Sequence, residues 1–387
     1  MSAYDVYDER AIRTGRLVED WVRSGLLTPQ QRAILAPQLA VDLRRTNKFL
    51  RITLFVFGGI ILQSALGLLA VVLFDVSNAP AAGLVCLLVG AACFWLASHL
   101  VSRYRLYRFG VEEAAALSAA GLVAAGVALL ITDAGAGDWP LIVGLATAAA
   151  MLFWLFRHFG YLYAAVFALA AAAALPFQFG SSEAIQRVAA VAVLAGAAAA
   201  ARVARAGHGD DYPGDALAVI EAVAWLGIYL LVNLVISSGI TALDRHSTFF
   251  WITYAGIWIL PAAGLWLALR GRERPLLWVS LAGALATLLS NKEYLGSPRY
   301  EWDPIVFGLL LMGIAVVARR WLASGEGGQR HGYTASRLVA SDKARLADLA
   351  MVSVVHTDVP VAEAAPAADS SIGGGGRAGG GGAGGAF

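Results

Sequence analysis

Ten apolar stretches, most of them close to bilayer length, alternate with short polar segments along this chain. Crossing the hydrocarbon layer takes about 20 mostly apolar residues in a helix, because every backbone polar group there must bond internally. The pattern predicts helices at 52–74, 80–101, 113–132, 139–156, 159–177, 184–203, 216–237, 248–270, 275–290 and 304–321. Only Arg157 and His158 separate the fourth from the fifth, so a tight hairpin is required there. The predicted fold class is all-α: a polytopic transmembrane helical bundle of about ten spans over 49–322. Residues 1–48 precede it as a small helical hairpin. A juxtamembrane segment, 323–358, and an Ala/Pro/Gly-rich tail, 359–387, follow it.

Orientation comes from the basic residues, which gather on the cytoplasmic side of membrane proteins. Under the ten-span assignment Arg187, Arg245, Lys292 and Arg299 fall on one side, and the other 25 of the 29 Lys and Arg fall on the opposite side. Fusing the fourth and fifth spans would reverse every later loop and scramble that segregation. The expected location is therefore the inner (plasma) membrane, with both termini cytoplasmic. The first 50 residues hold no apolar run of signal-peptide type, so the first span is expected to act as its own signal. Composition agrees, since 59% hydrophobic and 14% charged residues lie far from soluble globular usage. Cys86 and Cys93 share the second span about 10.5 Å apart along a helix, too far for a disulfide.

Ahead of the first span, residues 5–24 form an amphipathic pattern: Ala11, Gly15, Val18, Trp21 and Val22 on one face, Arg13, Arg16, Asp20 and Arg23 on the other. Gly25 suits a left-handed cap. Thr28-Pro29-Gln30-Gln31 opens a second helix with a capping box, and Pro37 is expected to kink or restart it before it runs through Arg44, Arg45 and Lys48 into the membrane. A hairpin of this kind suits a protein partner or anionic lipid, although positive-inside anchoring and self-packing account for every residue and are the stronger reading. The stretch Leu17–Leu35, with Trp21, Gly25, Leu26, Leu27, Thr28 and Gln31, resembles the start of a bacterial family of multi-pass membrane proteins of unknown function. The resemblance implies a bacterial origin and a helical hairpin joined to many spans, and it implies no activity.

Ionisable groups inside a bilayer are costly and are the first functional candidates. Glu221 lies five residues into the seventh span; Gln63 and Asn233 are the other polar groups to weigh. Glu221 and Asn233 differ by about 120° around the helix and share no face. An interhelical bond, or pairing of Glu221 with Arg202 or Arg205, explains it better than a proton relay, which an acid nearer the midplane would serve. The loop between spans nine and ten carries Lys292, Arg299 and Glu301 among aromatic residues, where an anion could dock. Against that, Asp303-Pro304 reads as an ordinary helix start with Tyr300 and Trp302 as interfacial anchors. His246 with Asp244, Asp75, Asp133 and Asp138 share that side without site-like spacing, and the His208–Asp211 turn could hold a metal or only make a turn. The Ala-rich fifth and sixth spans are expected to form the packed interior, the aromatic eighth to face lipid, with Pro261 as a kink. Ser336–Met351 has a weak amphipathic pattern, and the tail from Val359, with its Gly runs from Gly373 to Phe387, is expected to be disordered.

The sequence carries no phosphate loop, dinucleotide fingerprint, zinc spacing or nucleophile elbow. No cofactor, metal or nucleic-acid partner is therefore expected, membrane lipid is the expected environment, and the oligomeric state is open. Three functions stay in contention: a non-enzymatic envelope scaffold, a small-solute transporter or channel, and an enzyme acting on lipid-linked substrates.

Overall fold

The computed structural model describes residues 3–73, 78–132, 137–208, 212–238, 247–271, 273–298, 300, 302–325, 329–330 and 333–334. The helices are α1 (Val6–Arg23), α2 (Pro29–Leu35), α3 (Lys48–Leu73), α4 (Ala79–Tyr104), α5 (Val111–Leu130), α6 (Trp139–Phe159), α7 (Leu162–Ala174), α8 (Glu183–Arg205), α9 (Tyr212–Val232), α10 (Leu234–Ser238), α11 (Thr248–Gly271), α12 (Arg274–Leu295) and α13 (Asp303–Ala323). Eight of them, α3, α4, α5, α6, α8, α9, α11 and α13, are long and apolar enough to cross a membrane.

Every predicted span is helical, yet two fall short of that standard. α7 has 13 residues and continues only as a 3-10 turn, Leu175–Gln178. α12 has 22 residues, but Arg274 and Asn291–Glu293 close off its apolar run. The seventh predicted span is not continuous either, for it breaks at Asn233 into α9 and α10.

Local chemistry sets the boundaries. Asn78 caps α4 by accepting from the Ala81 N–H, and Thr28 and Gln31 cap α2 reciprocally. Gly25, Gly160 and Gly296 end α1, α6 and α12 at positive φ, which glycine adopts without strain. Gly160 is the pivot on which α7 turns back against α6. Pro37 neither kinks nor restarts a helix. α2 stops at Leu35, and residues 40–47 run non-helically to α3, with Arg44 bonded to the backbone of Arg105 and Tyr107. With no N–H to donate and a ring that crowds the preceding turn, proline ends so short a helix outright.

The molecule divides into two compact units, Met1–Leu311 and Met312–Phe387. In the second, the rest of α13 is followed by a two-residue antiparallel ladder, Gln329–Arg330 on Tyr333–Thr334. Ser336–Met351 and the Gly-rich tail lie outside the described residues.

In the first unit α5 is the hub. It packs against α3, α4 and α6, and 44% of its span is buried, more than for α7 or α8, whose Ala runs had suggested the interior. Its glycine and alanines let backbones meet: a Cβ on Gly126 would lie 2.8 Å from the Gly83 carbonyl of α4. In α11, Trp251, Trp258 and Trp266 are exposed while Phe250, Ile257 and Pro261 pack inward. Cys86 and Cys93 are free thiols.

Candidate functional site

Three polar centres interrupt this apolar body. The first lies where α1 meets the bundle. Ala3 N–H donates to the His158 carbonyl (3.0 Å), Tyr4 packs edge-on to Tyr107, and Arg13 pairs with Asp215 at the start of α9 (3.1 Å). Tyr4 and Ile12 thereby join the same core as α5, α6 and α7. Beneath them Arg108 lies over the Tyr212 ring, 4.2 Å from its centre, and Tyr212 donates its hydroxyl to the Gly160 carbonyl (2.7 Å). Burial works against the Arg108 charge, but Tyr212, Tyr107 and Glu9 outweigh it and hold its pKa above the ordinary value. Burial pushes the Tyr4 phenol up, so it stays neutral, and the Tyr161 ring is buried beside it. Their hydroxyls lie close together outside good hydrogen-bond geometry, and the Tyr163 hydroxyl and Arg108 Nε are likewise buried with no bond to a described residue.

Two acids at the start of α5 complete this end. Glu112 accepts from the Phe109 and Gly110 N–H groups (2.6 and 3.1 Å), satisfying donors that a helix start leaves free. Glu113 takes a two-pronged bond from Arg51 (2.6 and 3.1 Å), which ties α3 to α5.

The second centre contains Glu221. Arg202 lies 3.1 Å from one of its oxygens and Arg205 3.4 Å from the other, both in the last turn of α8. Both arginines also reach Glu273, in the turn before α12, and Arg205 is bonded to it directly. Two carboxylates and two guanidiniums thus neutralise one another and join α8, α9 and α12 at one end of the bundle.

The third centre surrounds the break at Asn233. Leu234 N–H has left the helical ladder and donates to the Tyr294 hydroxyl (2.7 Å), which in turn donates toward the Val232 carbonyl (3.3 Å). Arg187, 6% exposed, donates through Nη1 to the Leu231 carbonyl (2.9 Å) and to Ser237 (2.7 Å), and its Nε and Nη2 hold Glu183. Asn233 is fully buried; its amide donates to Tyr229 (3.0 Å) and Ser290 (2.9 Å), and its carbonyl accepts from Ile236 N–H as the cap of α10. Broken membrane helices often offer freed carbonyls to an ion. Here Arg187 and Tyr294 occupy them.

Among the described residues, the predicted candidates therefore do not converge. Glu221 and Asn233 sit in separate networks, and Gln63 reaches only Ser118 (3.4 Å) on the exposed side of α3. Lys292 bonds Asp303 (2.5 Å) and lies under Tyr300 and Trp302, so its charge is already met. Asp303 itself is the first residue of α13 and accepts from Tyr300 N–H, while Trp302 provides the carbonyl for Ile305 and Val306, which corrects its reading as a simple cap. Arg299, Glu301, Asp75, Asp133, Asp244, His246 and Gly209–Asp211 lie outside the described residues. Among those described, no group of three metal-ligating side chains occurs. A cavity between α9, α11 and α12, lined by Trp225, Tyr229, Pro261 and Ser280, holds about 10 Å³, room for no more than a water molecule.

Sequence reasoning missed Arg187, Glu273 and the tyrosine cluster. A signal existed for two of them: Glu183 and Arg187 at i,i+4 inside an apolar helix, and one acid among Arg270, Arg272 and Arg274. Nothing in the sequence joins Tyr4 to Tyr161. Compared with known protein families, curated proteins and solved structures, the chain matches none.

Proposed function

We propose that this chain is a non-enzymatic scaffold or interaction protein of the bacterial inner membrane, crossing it ten times with the hairpin and the tail in the cytoplasm. The resemblance of Leu17–Leu35 to the start of a bacterial multi-pass family supports the same plan. The carrying observation is the contrast between the two N-terminal helices. α1 and the residues before it spend their apolar side on the bundle through Ile12 and Tyr4, whereas α2 buries no residue and leaves Ile34 68% exposed. A short helix with a capping box at its N-terminus and an exposed apolar side chain suits docking to a protein. In a mild-detergent pull-down, wild type should recover a partner that Ile34→Glu loses while remaining monodisperse. Recovery indifferent to residues 1–48 would overturn the reading.

Transport of a small solute is the second reading, favoured by the broken helix α9/α10. It requires the Asn233 network to open, so flux into proteoliposomes should depend on Asn233 and Tyr294. Background-level flux for every solute class tried would remove it.

A further inference from the structure

The strongest unassigned feature is a set of cations where α3 leaves the N-terminal segment. Arg44, Arg45 and Lys48 precede or open α3, and Arg103 lies in the last turn of α4, more than fifty residues away in sequence. The backbone joins them: Arg44 N–H donates to the Arg105 carbonyl (2.9 Å), and Tyr107 N–H to the Arg44 carbonyl (3.0 Å). All four side chains are exposed, and no described carboxylate lies within 4 Å of any of them, whereas neighbouring Arg51 and Arg105 are paired. Exposed cations on adjoining segments, with no described carboxylate beside them, are open to pairing with an anion.

α3 shows what kind of anion fits. One stripe, Arg51, Phe55, Gly58 and Leu62, turns to α5 and the core. On the opposite face Phe49, Ile52, Val56 and Ile60 are 79%, 64%, 46% and 58% exposed at helical spacing. That apolar track begins beside Lys48, so the cations stand at the depth where hydrocarbon gives way to headgroups. Cations above an exposed apolar stripe complement an anionic amphiphile, and arginine pairs phosphate through two parallel bonds.

We propose that Arg44, Arg45, Lys48 and Arg103 form a docking site for the headgroup of an anionic phospholipid whose acyl chains lie along Phe49, Ile52, Val56 and Ile60. The site rests on α3 lying in a bilayer and is independent of any partner at α2. The test is native mass spectrometry of the full chain in detergent, titrated with phosphatidylglycerol and with phosphatidylcholine. Wild type should retain phosphatidylglycerol at least tenfold more tightly. The variant R44Q/R45Q/K48Q/R103Q should lose that preference, and R319Q/R320Q, which removes cations from the end of α13, should keep it. Because fewer charges could disturb insertion, R44K/R45K/R103K preserves each one and should still weaken retention several-fold. Equal retention of the two lipids, an unchanged preference in the glutamine variant, equal loss in R319Q/R320Q, or full displacement by millimolar inorganic phosphate would each overturn the proposal.

Discussion

Arg187 offers the sharpest test of how the bundle tolerates a broken helix. Its guanidinium is 6% exposed and replaces a helical hydrogen bond by donating to the Leu231 carbonyl at 2.9 Å. Arg187→Gln leaves that carbonyl buried and unmet, which costs about 1–3 kcal/mol. Losing the charged bond to Ser237 adds about 1.5 kcal/mol, the low end for charged hydrogen bonds. The Glu183 side chain is 61% exposed and regains water, so its loss adds under about 1 kcal/mol. The total is about 2.5–5.5 kcal/mol, which at roughly 1 °C per kcal/mol for a chain of 387 residues lowers the thermal midpoint by about 3–6 °C. Arg187→Lys keeps the charge but cannot span Glu183, Leu231 and Ser237 with one ammonium, so it should recover less than half of the loss. Tryptophan-fluorescence melting of detergent-purified variants checks this. A lysine variant as stable as wild type, or a glutamine variant within about 1 °C of it by the same scaling, would refute the assignment of Arg187 to the break.

Gly110 holds φ at 116°, and a Cβ there would press on the Arg51 carbonyl well inside contact distance. Gly110→Ala should therefore cost about 3 kcal/mol or more and sharply reduce the membrane-inserted yield, read by fluorescence-detected gel filtration. In the four-charge cluster Glu221→Gln should destabilise by about 2 kcal/mol, a buried-pair cost reduced because Arg202 is 35% exposed. Adding Arg202→Gln should then cost less than the sum of the single changes, and strict additivity in a double-mutant cycle of melting data would deny the pairing. Tyr161→Phe removes a buried hydroxyl that has no good partner, so melting should show it neutral or slightly stabilising; a loss above about 2 kcal/mol would mean that this hydroxyl is bonded after all.

Eight long apolar helices were legible because a bilayer imposes one strong length rule, and the expected 80–101 and 113–132 lie within three residues of α4 and α5 at each end. The hairpin signals at Gly25 and Thr28 were local and could be read from chemistry alone. Pro37 was misread because sequence does not say whether enough helix lies beyond a proline to be worth restarting. The break at Asn233 was invisible for a different reason: Arg187, Tyr294 and Ser290, which make it tolerable, come from helices 46 to 61 residues away. Glu221 was legible as a buried acid with arginines close by, but its second acid, Glu273, is brought in by tertiary packing. The Ala-rich runs of α7 and α8 suggested the interior, yet close approach depends on which face meets a neighbour, and α5 places Gly126 opposite Gly83 on α4.

The claim on which the rest depends is that ten helices cross the membrane, with α1 and the residues after α13 on the cytoplasmic side. The contacts of α6, α7 and α9 bear on it, since Tyr212 at the start of α9 reaches Gly160 between α6 and α7, as expected if α7 and α8 go out and return. Cysteine accessibility in intact cells tests it most directly. With Cys86 and Cys93 replaced by Ala, single cysteines are placed at Ser297, between α12 and α13, and at Ser324, beyond α13. A membrane-impermeant maleimide should modify position 297 and spare position 324 until the cells are opened. Labelling of 324 and protection of 297 would invert the C-terminal half and contradict the account.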